Sequence, residues 1–238
     1  GLMKPYKMYI FLNCFRLDKR RREALKREIG RDGRVAVWMY APGYIEDDLS
    51  MDYMTDLTGF TFDLSRQPWS ASMHIVNFNH PITAGMPQDL FWGTHNLLAP
   101  VFYLKDPDAE ILAQVVHAQG RCVPGMGVKT FPEWTSVFIS APNIPALLLR
   151  GLARFSKVHL YSEKGDVLYA SRNLLGVHTV SGGDRTFNLP HKAERVYDLY
   201  ENKTIARNTD AFKVKLSPIS TALYYIGDAG LLSHLKKS

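Results

Sequence analysis

The fold class rests on two apolar runs, MYIFL at residues 8–12 and VAVWMY at residues 35–40. Continuous apolar runs of this length are typical of strands that are buried on both faces, as in a parallel sheet. Between the runs, Asp18 can cap a helix whose apolar stripe reaches Ile29, and Gly30 is well placed to end that helix. The spacing therefore predicts a strand–helix–strand unit in a parallel sheet.

Helical and strand patterns continue to about residue 155. Ser50 precedes a short helical segment, and Pro145 lies near the start of a helix that reaches Phe155 with its apolar residues at helical spacing. Short apolar stretches predict further strands at 73–76, 101–104, 110–116 and 137–140. From about residue 156, short β-like runs are separated by Gly, Asn and Asp turns, which is typical of an antiparallel sandwich or barrel. The sequence thus predicts two domains, 1–155 and 156–238.

Composition excludes several classes of protein. The chain has 238 residues, of which 46% are hydrophobic, so disorder is not expected. No apolar run reaches the ~18 residues of a membrane span, and a (β/α)8 barrel of ~250 residues does not fit beside a second domain. The net charge of +6 invites a nucleic-acid partner, but the basic run 19–22 is followed by Glu23 and lies in no recognisable binding motif. We therefore expect neither a membrane nor a nucleic-acid partner.

No motif for bond cleavage emerges from the residues. The G-x-S-x-G elbow is absent. Around Cys122 the second glycine of such an elbow is missing, and Cys14 is followed by Phe15 rather than by a glycine that would expose it. No histidines show metal-ligand spacing beside a carboxylate. The acid clusters at 46–48 and 106–110 lie in predicted turns, where solvated carboxylates are ordinary. We expect no catalytic residue, no metal and no cofactor.

A binding edge is still predicted, because ligands of open α/β sheets bind at the carboxyl ends of the strands. Asn13 follows the first strand, and Tyr40, Gly43 and Tyr44 follow the second. His80 lies in a His-Pro loop that could face the same cleft, although a histidine that stabilises its own turn has the same pattern. These five residues are the candidates for contact with a ligand or a partner surface.

Several segments, taken in order, resemble a recurrent series of motifs. They are YIFLN at 9–13, VWMYAPGY at 37–44, LTGF at 57–60, VHLY at 158–161, GDVLYA at 165–170, TFNLP at 186–190, VYDL at 196–199 and TALYY at 221–225. The series resembles the amidotransferase-like domain that follows the catalytic barrel in family-42-type β-galactosidases and related glycoside hydrolases, together with the C-terminal β-domain. It covers almost the whole chain.

The resemblance implies a flavodoxin-like (class I glutamine amidotransferase-like) α/β domain over 1–155 and a small antiparallel all-β domain over 156–238. It also implies that the sugar chemistry belongs to an upstream barrel missing from this chain, and that the chain is a non-catalytic accessory and oligomerisation region, trimeric in its parent. Two alternatives stay open, a carbohydrate-binding module and a cysteine-dependent amidotransferase-like hydrolase. The sequence does not indicate the compartment.

Overall fold

The structure, a computed structural model, describes residues 4–117, 120–230 and 232. It divides into two compact units, Gly1–Val158 and His159–Ser238. Fourteen strands and three helices lie within the described ranges, so the protein is mostly β. None of these helices has both the length and the apolar character that a membrane crossing requires.

The first unit contains the three helices and nine of the strands. The helices are α1 (Lys19–Ile29), α2 (Met51–Thr58) and α3 (Ala146–Phe155). The strands are β1 (Met8–Phe11), β2 (Arg34–Met39), β3 (Phe62–Ser65), β4 (Trp69–Ile75), β5 (Phe91–Leu98), β6 (Val101–Leu104), β7 (Glu110–His117), β8 (Arg121–Thr130) and β9 (Trp134–Ile139).

The caps predicted for the first two helices are confirmed. The Asp18 carboxylate accepts a hydrogen bond from Arg21 N at 2.8 Å, and Gly30 is the C-cap residue of α1. The Ser50 hydroxyl accepts from Asp52 N at 3.1 Å at the start of α2. A side-chain acceptor at the N-cap replaces one of the hydrogen bonds that the first helical turn leaves unmade.

The prediction of a flavodoxin-like, amidotransferase-like α/β fold is wrong. Seven strands of the first unit form one sheet in the order β1-β2-β9-β8-β7-β4-β5, and this sheet is curled into a half-barrel. Only β1, β2 and β9 are mutually parallel, while every pairing from β9 to β5 is antiparallel. The parallel strand–helix–strand unit exists, but it is the end of a mixed sheet rather than the start of a doubly wound one.

Strand β8 is the reason for the error. Its sequence contains Pro124, Gly125 and Gly127, residues that are depleted in strand interiors. The glycines are required by close packing, since a Cβ at Gly125 would lie 2.7 Å from Val115 N and a Cβ at Gly127 would lie 2.5 Å from Leu104 Cδ1. Local propensity therefore argues against a strand that the tertiary contacts impose.

Alternate residues of β2 face two separate cores, which is the period-two pattern of a strand buried on both faces. Val35 and Val37 pack in the cluster that also contains residues of α3. Ala36 and Trp38 pack on the other face, in the cluster that contains residues of α1 and α2. The short antiparallel pair β3–β6 contributes Phe102 to this second cluster.

The second unit is a five-stranded antiparallel sheet in the order β10-β11-β14-β12-β13. Its strands are β10 (Val167–Ala170), β11 (Leu174–Thr179), β12 (Gly183–Asp198), β13 (Lys203–Leu216) and β14 (Ser220–Gly227). A register shift between Asn188 and Ala193 interrupts the long β12–β13 ladder. Phe187 precedes this shift in β12 and packs with Phe212 and Tyr224 in the core of the unit.

The packing of helix α3 can be tested at Gly151, which lies against the loop after β4. A Cβ at this position would collide with the carbonyl oxygen of Ile82 and would lie 2.8 Å from Met86 Cε. Glycine-to-alanine changes inside a helix normally stabilise by ~1 kcal/mol. We expect Gly151→Ala to lower the free energy of unfolding instead, as measured by urea denaturation.

The matched control is Ala146→Gly, at an exposed position of the same helix. It should cost no more than about 1 kcal/mol, because only helix propensity changes there. Stabilisation by Gly151→Ala would show that α3 does not approach the loop this closely.

Candidate functional site

The carboxyl ends of β1, β2 and β9 form the edge at which a ligand is expected. The loops that follow β1 and β2 are joined through their backbones. Gly43 N donates to Cys14 O at 2.8 Å, and Ile45 N donates to Phe15 O at 2.9 Å. The structure thus brings the segment after Asn13 and the segment after Tyr40 into direct contact at one edge of the sheet.

Tyr40 occupies a strained position at the end of β2. Its φ is +63°, in the left-handed region that is a genuine outlier for a bulky side chain. Tyr40 N still donates to Ile139 O at 2.9 Å, so the strand pairing extends to this residue. The phenol hydroxyl donates to Pro100 O at 2.7 Å. One hydrogen bond therefore holds the backbone of Tyr40 and another holds its ring hydroxyl.

Aromatic side chains of the protein itself fill the edge. The Tyr40 ring packs edge-on against Phe15 and Phe102, with centroid distances of 5.9 and 5.6 Å. The Tyr44 ring packs against Phe102 at 4.7 Å and is only 7% exposed. Phe102 comes from β6, and no local pattern in the sequence predicts its place here. The Ser140 hydroxyl holds that strand by donating to Phe102 O at 2.6 Å.

Gly43 and Asn13 have different surroundings. Gly43 is buried at φ +70°, and a Cβ there would lie 3.3 Å from Leu57 Cδ2, so the turn needs glycine for both conformation and space. Asn13 is exposed at the end of β1. Of the four candidates at this edge, Asn13 alone presents a largely solvent-accessible side chain.

His80 lies on the other face of the sheet. Its Nδ1 accepts a hydrogen bond from Ile82 N at 3.2 Å, and its ring lies 5.3 Å from Phe155, which packs against the α3-side cluster. Burial lowers the pKa of His80 below its ordinary value of 6.5, so the imidazole is neutral at physiological pH. His80 stabilises its own turn and does not join the residues around Tyr40.

Cys14 lacks the chemistry of a nucleophile. It is half-buried among the apolar residues of the α1-side cluster, and burial raises the pKa of its thiol to about 11. An activated cysteine has the opposite shift, because the thiolate is the reactive form. Both cysteines are free, and Cys122 is exposed. Within the described ranges, no group of three or more His, Cys, Asp or Glu side chains is arranged to hold a metal ion.

The acidic residues near this edge are engaged in structural contacts. The buried Arg22 guanidinium donates to Glu46 Oε2 at 2.7 Å and to Asp56 Oδ2 at 3.0 Å. The bond from Arg22 lowers the pKa of Glu46. Burial alone would raise the pKa of Asp56, but bonds from Lys26 and Arg22 outweigh it and lower that pKa. This ion cluster ties α1 to α2 and to the loop after β2.

The second acid cluster is structural as well. Asp106 accepts from Thr61 N at 2.8 Å and from Asp108 N at 3.0 Å, and it pairs with Lys129 Nζ at 2.9 Å. Its side chain is 1% exposed. A carboxylate with this many partners fixes the turn before β7 rather than facing a substrate.

Comparison with known proteins finds similarity in structure only. No family model and no curated protein matches the chain. The β-galactosidase from Bacillus circulans sp. alkalophilus aligns with a TM-score of 0.59 at 16% identity over 93% of this chain and 33% of that chain. The cold-adapted β-galactosidase from Rahnella sp. R3 gives 0.61 at 14% identity over 93% and 32%.

A catalytic mutant of a GH42 β-galactosidase from G. stearothermophilus aligns with a TM-score of 0.58 at 12% identity, over 93% of this chain and 32% of that chain. At these identities the likeness is one of fold. The chain spans about a third of the length of each of these enzymes, so it is related in fold to a part of β-galactosidases.

The thiol environments predict selective alkylation. Native protein treated with iodoacetamide at neutral pH should label the exposed Cys122 well before Cys14, because Cys14 is half-buried and its pKa is about 11. Peptide mass spectrometry at timed intervals measures both rates. In denaturant the two rates should converge, and Cys122→Ser removes the fast phase. Faster labelling of Cys14 in the native protein would contradict this environment.

The Arg22 ion cluster predicts acid sensitivity of the first unit. In the folded protein the pKa values of Glu46 and Asp56 lie below their ordinary values of 4.5 and 3.8. The cluster therefore stabilises the fold above those ordinary values. This stabilisation is lost as the pH falls through the lower pKa values of the folded state. Thermal melts across the acidic range should show a flatter pH dependence for Glu46→Gln/Asp56→Asn than for the parent. Asp47→Asn, at an exposed acid of the same loop, should keep the parental slope.

Proposed function

We propose that this chain is a non-catalytic accessory and oligomerisation region of a glycoside hydrolase of the β-galactosidase kind. The bond-cleaving barrel would lie outside this chain, and the parent would be a homo-oligomer, a trimer. The observation that carries the proposal is that 93% of the chain aligns with about a third of two β-galactosidases at TM-scores near 0.6.

The site at the strand ends supports a non-catalytic role. The edge is filled by Tyr40, Tyr44 and Phe102, and the Cys14 thiol is protonated at neutral pH. A nucleophile needs an adjacent base or a lowered pKa, and Cys14 has a raised one. These observations give no support to a cysteine-dependent hydrolase.

Carbohydrate binding at Tyr40 and Tyr44 finds no support in the packing either. A sugar ring stacks on an exposed aromatic face, and Tyr44 is 7% exposed with its ring against Phe102. The Tyr40 ring is packed between two aromatic neighbours. Both rings serve the core of the first unit.

The test uses the purified chain with o-nitrophenyl β-D-galactopyranoside. We expect no release of nitrophenol above the buffer rate, and a mass by light scattering of three chains of 27.0 kDa each. Turnover that co-purifies with the chain through successive columns and scales with its concentration would overturn the non-catalytic role. A single-chain mass at every concentration would overturn the oligomerisation role alone.

A further inference from the structure

The second unit contains a groove that the strand pairing leaves open. β13 and β14 follow one another in the chain, yet no ladder joins them within the described residues. β13 pairs with β12, and β14 pairs with β11 and β12. In the sheet, β12 lies between them and pairs with both. A groove of about 590 Å³ is lined by residues of β13, of β14 and of the turn at 199–202. A pyranose ring is small enough to enter a space of this size.

A buried phenol lines this groove. Tyr224 is 1% exposed, and its ring packs against Phe212 at 5.1 Å and Phe187 at 6.2 Å. Its hydroxyl makes no hydrogen bond with the described part of the chain and is not fully buried, so it reaches the groove. The hydroxyl of the next residue, Tyr225, instead donates to Asp228 O at 2.8 Å. A hydroxyl that reaches a groove can bond to a ligand there as donor and as acceptor.

The phenol stays protonated under physiological conditions. Burial raises the pKa of Tyr224 to about 12, and the charges of Asp198 and Glu201 act in the same direction. Tyr224 therefore offers the groove a neutral O–H group, which can both donate and accept a hydrogen bond.

A carboxylate lies beside the phenol. Asp198 is directly opposite Tyr224 in the β12–β14 pair, so the two side chains share one face of the sheet. Asp198 is 5% exposed, and its Oδ1 accepts from Tyr200 N and Glu201 N, both at 2.9 Å. Oδ2 has no hydrogen bond to any described residue and remains available as an acceptor.

The remaining lining carries both signs of charge and several hydroxyls. Glu201 and Lys203 form an exposed ion pair at 3.7 Å, and Lys213 and Lys215 lie along β13. The acids disfavour an anionic ligand and the lysines disfavour a cationic one. The ring of Tyr200 at the same groove is 63% exposed and offers an apolar face.

We propose that this groove binds a neutral sugar, with Tyr224 and Asp198 as hydrogen-bonding partners and Tyr200 as the stacking surface. A sugar hydroxyl both donates and accepts, which matches a phenol beside a free carboxylate oxygen. The C–H face of a pyranose matches an exposed aromatic ring with a polar edge. This binding goes beyond the accessory role and does not depend on it, since it concerns the second unit alone.

The experiment titrates the ¹⁵N-labelled full chain with methyl β-D-galactopyranoside, methyl β-D-glucopyranoside and methyl α-D-mannopyranoside at millimolar concentrations. We expect at least one of them to shift amide signals of β13, β14 and the turn at 199–202. Tyr224→Phe should weaken that binding roughly two- to tenfold, the effect of one hydrogen bond. Tyr169→Phe, at a 76% exposed tyrosine of β10, should leave it unchanged.

A stability measurement separates a ligand-binding phenol from a structural one. Tyr224→Phe should leave the melting temperature unchanged or raise it, because the hydroxyl has no hydrogen bond to lose among the described residues. Tyr225→Phe should lower it, because the bond to Asp228 O is lost. No groove shift with any of the three sugars, larger groove shifts with inorganic phosphate, or equal affinity of Tyr224→Phe and the parent would overturn the proposal.

Discussion

At Gly125 and Gly127 a side chain would collide with the neighbouring strands, and much of the first unit depends on that close approach. A Cβ at Gly125 would lie within 2.7 Å of Val115 N, and one at Gly127 within 2.5 Å of Leu104 Cδ1. β8 runs antiparallel between β7 and β9 in the sheet, and β6 lies against β8. The absence of side chains at these two positions permits both close approaches.

The position of β6 in turn determines which side chains fill the carboxyl end of β2. It carries Phe102 to the carboxyl end of β2, where Tyr40 and Tyr44 pack against it. The preceding Pro100 supplies the carbonyl that accepts from the Tyr40 hydroxyl. An edge that would be open in a doubly wound sheet is therefore filled by aromatic side chains of the chain itself.

Two tyrosines, one in each unit, differ in the hydrogen bonding of their hydroxyls. The Tyr40 hydroxyl is satisfied by a backbone carbonyl, so it contributes to the fold at a strained φ of +63°. The Tyr224 hydroxyl has no hydrogen-bond partner among the described residues and reaches the groove on the same face of the sheet as Asp198. It is therefore placed to bond to a hydroxylated ligand rather than to hold the fold together.

The sequence by itself determined the helix caps at Asp18 and Ser50 and the buried strands around Val35 and Val137. It also offered the role of His80 in stabilising its own turn. Each of these features depends on neighbours within a few residues. Tertiary structure alone decided the mixed sheet, since Pro124, Gly125 and Gly127 are disfavoured inside a strand and no local pattern predicts β8. It also decided the filling of the edge and the groove beside Tyr224. Both depend on strands distant in sequence, and no local pattern records which of those strands meet.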